Sequence, residues 1–279
     1  MPWAGILRVA TVVVLIAAVL LLALWLGQRA LIYHPDHTDP AAPDGAAEVT
    51  LRTADGLDLT AWTLAPPADT DRRAAVLVAP GNAGNRASRF DLGAALADEG
   101  FTALLLEYRG YGGNPGSPSE TGLYDDARAA WDRLREDFPA DRILLFGESL
   151  GAGVVTGLAT ETDPAGLVLR SPFTGLADAG AEHYPLLPVG VLLRDRYPVT
   201  EHLESNAAPV TVVYSDADEI IPADLSRRVA EAAEDTGAPV TEVAIDGPGH
   251  NDPALVHGPR VIDAVASLAD GLGLTAGPR

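Results

Sequence analysis

The chain has 279 residues, is 47% hydrophobic, contains no cysteine and carries a formal net charge of −20, with arginine as its only strongly basic side chain. That length bounds it to one large α/β domain with a short appendage. The missing cysteine excludes disulfides, thiolate zinc sites and a cysteine nucleophile, and the acidic surface repels phosphate backbones, which argues against nucleic acid as a partner.

In chain order, Ile6–Leu26 is an almost unbroken apolar run. About twenty such residues span a bilayer as a helix. Arg8 lies near one end, where it can snorkel, and Trp3 and Trp25 sit where interfacial aromatics belong. A cleaved signal peptide would have a shorter apolar region and a small-x-small cleavage site, which this stretch lacks. Residues 1–30 therefore read as a transmembrane anchor. Its orientation stays open, because Arg8 with the terminal amine balances Arg29. Residues 31–47, rich in Pro, Asp and Ala, read as a juxtamembrane linker. His34, Asp36, His37 and Asp39 have metal-ligand chemistry, but a polar loop explains them, and no metal or cofactor is expected.

The domain proper is expected over 48–279. Glu48–Thr53 and Leu57–Leu64 flank Ala54-Asp55-Gly56, a hairpin signal. Thereafter strands and helices alternate. Strands are predicted at Ala74–Ala79, Thr102–Glu107, Ile143–Phe146, Leu167–Arg170, Val210–Tyr214 and Val240–Ile245. Helices are predicted at Ala87–Asp98, Gly122–Glu136, Leu150–Thr160, Ala223–Glu234 and Pro259–Leu272. A hairpin followed by βα units gives a mostly parallel, eight-stranded sheet with helices on both faces. Thr174–Ala208 interrupts the rhythm with an apolar, proline-broken stretch, Tyr184–Leu193. It reads either as a crossover helix packed on the sheet or as a small cap over the site.

Chemistry concentrates at Gly147-Glu148-Ser149-Leu150-Gly151, between an apolar strand and a small-residue helix. A serine on such a turn is the G-x-S-x-G nucleophile elbow: the turn strains the serine backbone, and the flanking glycines let neighbouring backbone pass close. The other reading is a softened turn whose serine caps the helix. Acyl transfer by Ser149 needs a base, an orienting acid and two oxyanion donors. His250 follows the strand Val240–Ile245, at the sheet edge where such folds keep their chemistry, whereas His257 beside Gly258-Pro259 reads as structural. Asp218, after Val210–Tyr214, is favoured as the acid over Asp216, which suits a turn. The backbone N–H groups of Leu150 and Asn82 are the expected oxyanion donors, with Ala83 as the neighbour that could replace Asn82.

These blocks resemble the α/β-hydrolase superfamily, in particular its single-pass, membrane-anchored branch of bud-emergence-type and wavy-growth-type hydrolases. The resemblance runs from about Leu31 to about Ala266. It rests on Gly81–Asn85, on Tyr108–Gly112 with Pro118–Ala127, on the elbow, and on Asp218–Pro222 with Gly249–Asp252. It implies an α/β-hydrolase fold with Ser149, Asp218 and His250 as a triad. Relatives carry histidine before the Gly-Asn of the first block, where this chain has Pro80. Arg109 and Tyr111 read equally as braces at the mouth of the site or as parts of a glycine-rich turn. The resulting expectation is a serine hydrolase of carboxylic esters or thioesters, acting on a small-molecule or lipid acyl substrate at a membrane. A depalmitoylating thioesterase, a peptidase and a non-catalytic binding protein are the rivals.

Overall fold

The computed structural model describes residues 2–275. It opens on a 31-residue helix, α1 (Pro2–Ile32). This helix runs six residues past the apolar stretch because nothing breaks it before Tyr33-His34-Pro35, where the proline disfavours helical backbone in its predecessor. Apolar residues such as Leu7, Val14 and Leu20 are exposed along it, and the helix is long and apolar enough to cross a membrane.

Then come β1 (His34–Pro35), β2 (Ala46–Arg52), β3 (Asp58–Leu64), β4 (Ala74–Ala79) and β5 (Ala83–Gly84), followed by α2 (Phe90–Asp98), β6 (Phe101–Leu105), α3 (Glu120–Arg135), β7 (Ile143–Glu148), α4 (Leu150–Ala159) and β8 (Gly166–Arg170). The cap region holds three short helices, α5 (Leu176–His183), α6 (Val189–Leu192) and α7 (Val199–Leu203). The chain closes with β9 (Val210–Ser215), α8 (Ala223–Asp235), β10 (Val240–Ile245), α9 (Pro253–Val256) and α10 (Pro259–Gly271). The helix expected from Ala87 begins instead as a 3₁₀ turn, Arg86–Arg89, capped by the Asn85 side chain accepting from the Ala87 N–H.

Eight strands form one sheet in the order β10-β9-β8-β7-β4-β6-β3-β2. Only β2–β3 and β3–β6 pair antiparallel. The central strands β4, β7 and β8 are buried along their whole length, as near-continuous apolar runs in a doubly covered parallel sheet must be. One face packs on α3, α4 and α8, the other on α2 and α10. This is the fold expected from the sequence. In this stretch Val199 and Leu203 of α7 and Ala179 of α5 join the core, while Leu186 and Val191 are exposed.

The segment expected to be a linker is docked. Tyr33 is buried and donates its hydroxyl hydrogen bond to Asp195 (3.0 Å). β1 pairs in parallel with β5, Gly112 N–H donates to Asp36 O (2.8 Å), and Arg86 binds the Asp39 carboxylate (2.5 Å). His37 Nδ1 lies 2.8 Å from Gly110 O, and Asp36 accepts from Thr38 N–H and Asn85 Nδ2. The polar side chains of this stretch thus tie the helix exit to the sheet's C-terminal edge.

Candidate active site

Ser149 stands between β7 and α4 with φ 53° and ψ −112°, a strained backbone that L-residues rarely adopt. The two glycines around it are steric requirements. A Cβ on Gly151 would lie 2.1 Å from Ala79 O, and one on Gly147 would lie 2.6 Å from Gly151 O. Their absence lets the end of β4 pass against the start of α4. Ser149 N–H donates to Arg170 O (2.8 Å), which fixes the turn to β8.

His250, 5% exposed, places Nδ1 2.9 and 2.8 Å from the two oxygens of Asp218. A carboxylate there can only accept, so Nδ1 carries the proton and Nε2 is left with its lone pair. Asp218 also accepts from the Ser171 hydroxyl (2.8 Å) and from the N–H groups of Ile220 (3.0 Å) and Ile221 (2.8 Å). Burial pushes the Asp218 carboxyl up. The His250 pairing, the Ile221 N–H and the Ser171 hydroxyl outweigh it and hold the group below its ordinary range. Asp216 lies on the surface side and accepts from Gly247 N–H (3.2 Å). His257 approaches Asp91 at 4.0 Å, away from this cluster.

Among the described residues, Ser149 Oγ and His250 Nε2 make no hydrogen bond. What joins their loops is Arg170. This fully buried guanidinium donates to His250 O (2.9 Å), and its Nη2 lies 2.8 Å from Glu148 Oε1. Glu148 is also bound by Arg89 through Nε (3.1 Å) and Nη2. Burial pushes Glu148 up, but Arg170 and Arg89 outweigh it and hold the carboxylate down at about 2. The His250 loop has further anchors. Glu219 accepts from His250 N–H (3.1 Å), and Ser215 donates to Pro248 O (2.5 Å).

The loop expected to supply an oxyanion donor lies beside the serine. Asn82, Ser149 and Leu150 share one open cavity of about 150 Å³, with Phe173, Leu176 and Ile221 among its apolar walls. Neither the Asn82 nor the Leu150 N–H donates a hydrogen bond among the described residues. Leu150 is the first residue of α4, where such donors are free to meet an anion. The loop is held from three sides. Tyr108 donates to Pro80 O (2.9 Å) and Tyr111 to Asn82 O (2.8 Å); His34 N–H also donates to Asn82 O (2.9 Å); Asn82 Nδ2 donates to Ile32 O (2.7 Å). Tyr111 is therefore a brace. Arg109 is not at the mouth: it clamps Asp126 (2.8 Å) and Asp55 (2.8 Å), joining α3 to the β2–β3 hairpin.

Arg170 and Ser171 lie outside every motif read from the sequence, with only their place at the C-terminal end of a parallel strand to signal them, whereas Glu148, Glu219 and Tyr108 lie inside such motifs without a role assigned there.

Comparison with known proteins agrees with this architecture. Residues 70–194 match a family model described as "Serine aminopeptidase, S33" (Hydrolase_4). The chain is 46% identical over 266 residues to Rv2307c of Mycobacterium tuberculosis (strain ATCC 25618 / H37Rv), covering 93% of each protein. It is 29% identical over 178 residues to the lysophosphatidylserine lipase ABHD12 of Danio rerio, covering 57% of this chain and 47% of that one. Among solved structures, the Pyrococcus furiosus esterase Pf2001 superposes with a TM-score of 0.69 at 17% identity, covering 86% of this chain and 98% of that one.

Proposed function

Because the chain belongs to the α/β-hydrolase superfamily, in one family with Rv2307c, we propose that it is a serine hydrolase cleaving carboxylic esters of acyl-chain or lipid substrates. We place it in the superfamily's single-pass, membrane-anchored branch. The observation that carries the reading is the pairing of a backbone-strained serine with a buried Asp218–His250 hydrogen bond at the same sheet edge.

In this mechanism Ser149 attacks the carbonyl while His250 Nε2 takes its proton. Asp218 holds the tautomer and stabilises the imidazolium. The Leu150 and Asn82 N–H groups receive the developing oxyanion, each such donor being worth about 10²–10³ in rate. The tetrahedral intermediate expels the alcohol, protonated by His250, and leaves an acyl-Ser149. Water activated by His250 then releases the acid and restores the serine. The missing Ser149–His250 hydrogen bond fits a site that tightens when substrate binds.

The apolar walls of the Ser149 cavity favour acyl groups, and a relative that is a lysophosphatidylserine lipase supports lipid esters. A peptidase specific for free amino termini would need a carboxylate facing the substrate amine. The described lining of that cavity contains none, and the nearby Glu148 is committed to two arginines.

We read α1 as a retained membrane anchor. Its last turns carry Arg29, bound to Asp195 (2.9 and 3.0 Å), and Gln28, bound to Leu192 O (3.1 Å). Cleavage before these residues would leave the cap contacts intact but strip the membrane segment; cleavage after them would dismantle the cap.

Labelling with a fluorophosphonate tests the reading. The wild type is expected to label at Ser149 and to hydrolyse p-nitrophenyl butyrate, and Ser149→Ala to do neither. A folded wild type that stays unlabelled overturns it in favour of a non-catalytic binding protein. Comparing butyrate ester with butyryl thioester rates decides between esterase and thioesterase.

A further inference from the structure

A second cavity lies between α1 and the cap. It is a narrow space of about 130 Å³. Leu24, Trp25 and Leu31 of the helix form one wall, and Leu187, Leu192 and Leu193 of the cap form the other. Gln28, Trp25 and Tyr184 of the lining carry polar atoms, yet the surface they present to the cavity is apolar, and Gln28 has no capacity left for a ligand. Its Nε2 donates to Trp25 O (2.8 Å) and Leu192 O (3.1 Å), and its Oε1 accepts from Arg194 N–H (2.7 Å). No charged residue lines this cavity.

Three residues, Leu31, Leu176 and Gly180, line both this cavity and the one that holds Ser149. The two spaces therefore adjoin. The cap segment that walls the outer one exposes Leu186 (96%) and Val191 (82%), and α1 exposes Leu21 and Leu22. In water that patch would be a liability. Against a bilayer it is a seat, and Trp25 then lies at the interface depth that tryptophan prefers. The wall is fixed rather than swinging, since Arg29–Asp195 and Tyr33–Asp195 lock the helix to the cap.

We propose that this cavity is the acyl-chain site, and that a membrane-resident ester threads its chain between α1 and the cap to bring its carbonyl to Ser149. The membrane helix is then part of the substrate site and not only a tether. The occupant is a medium or long acyl chain, because the surface presented to the cavity is apolar and the cavity adjoins the one that holds the nucleophile. The proposal rests on Ser149 being the nucleophile.

The test uses the full chain in nanodiscs. Leu192→Trp and, on the opposite wall, Leu24→Trp each fill the cavity from a partly exposed position. Wild type is expected to prefer p-nitrophenyl dodecanoate over the butanoate in kcat/KM. Each variant should lower that ratio on the order of tenfold, the loss of room for about two methylenes. A second readout needs no turnover. In a Ser149→Ala, Trp3→Phe protein, where Trp62 and Trp131 are buried and Trp25 is the exposed indole, a dodecanoate ester brominated at its chain end should quench fluorescence saturably, and Leu192→Phe should weaken the saturable component. An unchanged ratio in both variants, or quenching that never saturates, overturns the acyl-chain site while leaving the esterase reading intact. Absence of hydrolysis of either ester, together with saturable quenching, would instead overturn the esterase reading and keep the site.

Discussion

Replacing Arg170 by methionine isolates the feature on which the site's geometry depends. The side chain is fully buried, Nη2 lies 2.8 Å from Glu148 Oε1, and Nη1 donates to His250 O at 2.9 Å. At 2.8 Å and an effective dielectric of about 20, the Arg170–Glu148 attraction is about 6 kcal/mol before desolvation is counted. Removing one partner of a buried pair costs about 3–5 kcal/mol, because the remaining charge stays buried. The bereft His250 carbonyl adds about 1–3 kcal/mol. Arg89 still neutralises Glu148, which takes the expectation to the lower part of the sum, about 4 kcal/mol. For a domain of this size that lowers the thermal midpoint by about 8–16 °C, read by scanning fluorimetry in detergent. Butyrate hydrolysis should fall about 10²-fold in kcat with KM little changed, since a 1 Å drift of the base is enough. The triple variant Arg89→Met, Glu148→Leu, Arg170→Met replaces the whole cluster by apolar groups. It should recover most of the stability but not kcat, because the His250 carbonyl stays unanchored. A single variant that loses less than 1 kcal/mol and keeps its kcat would refute the argument. So would a triple variant that regains full activity.

Asp218→Asn should cut kcat by about 10⁴ by offering His250 the wrong tautomer, whereas Asp216→Asn, whose carboxylate meets only Gly247 N–H, should change it less than about twofold; steady-state rates on p-nitrophenyl butyrate separate the two. Tyr111→Phe removes the hydroxyl that holds Asn82 O. It should cost about 1 kcal/mol in stability and lower kcat more than it raises KM, because the proposed oxyanion donor would matter most in the transition state. Burial lifts the Glu107 carboxyl to about 7 against 4.5 when unfolded, with Arg86 only partly offsetting it. The folded state therefore binds more protons across that window. The contribution is fully present below about pH 4.5 and is lost as pH rises through 7, a swing of about 3 kcal/mol. Thermal midpoints measured from pH 5 to 8 should fall less steeply in Glu107→Gln, and an unchanged slope would contradict the assignment.

Most of the sheet could be read directly because parallel strands buried on both faces leave continuous apolar runs: β4 and β10 begin and end at the residues their patterns predict. Ser149 was legible because the elbow's sterics demand a local motif, and the choice of Asp218 and His250 followed from chain order and strand ends. Arg170 was not legible. An arginine closing a strand looks like a surface charge until β7 is set beside β8 and Glu148 comes opposite Arg170 in register. Ser171 and Glu219 share that obscurity, since each acts on a residue more than 30 positions away. The docking of residues 33–40 was hidden for a different reason. Pro, Asp and His in a short run have the composition of a tether, and only the partner loops show that Asp36, His37 and Asp39 are already bound.

That docking also bears on Pro80, which stands where relatives of the resembled branch carry histidine. A proline supplies no side-chain hydrogen bond, so whatever holds the loop must reach its carbonyls. Two tyrosine hydroxyls do so from Tyr108 and Tyr111, and the backbone of His34 does so from the strand that follows α1. Asn82 completes the arrangement by turning its side chain to Ile32 O, the last carbonyl of the helix, while the residue itself lines the Ser149 cavity. The geometry of the proposed oxyanion site is thus set partly by the exit of α1. A chain beginning at Glu48 would keep every residue of the proposed triad yet lose β1, the Ile32 carbonyl and the helix wall of the acyl cavity. It should fold less stably, label more slowly with a fluorophosphonate, and lose its preference for long chains more than its cleavage of short ones.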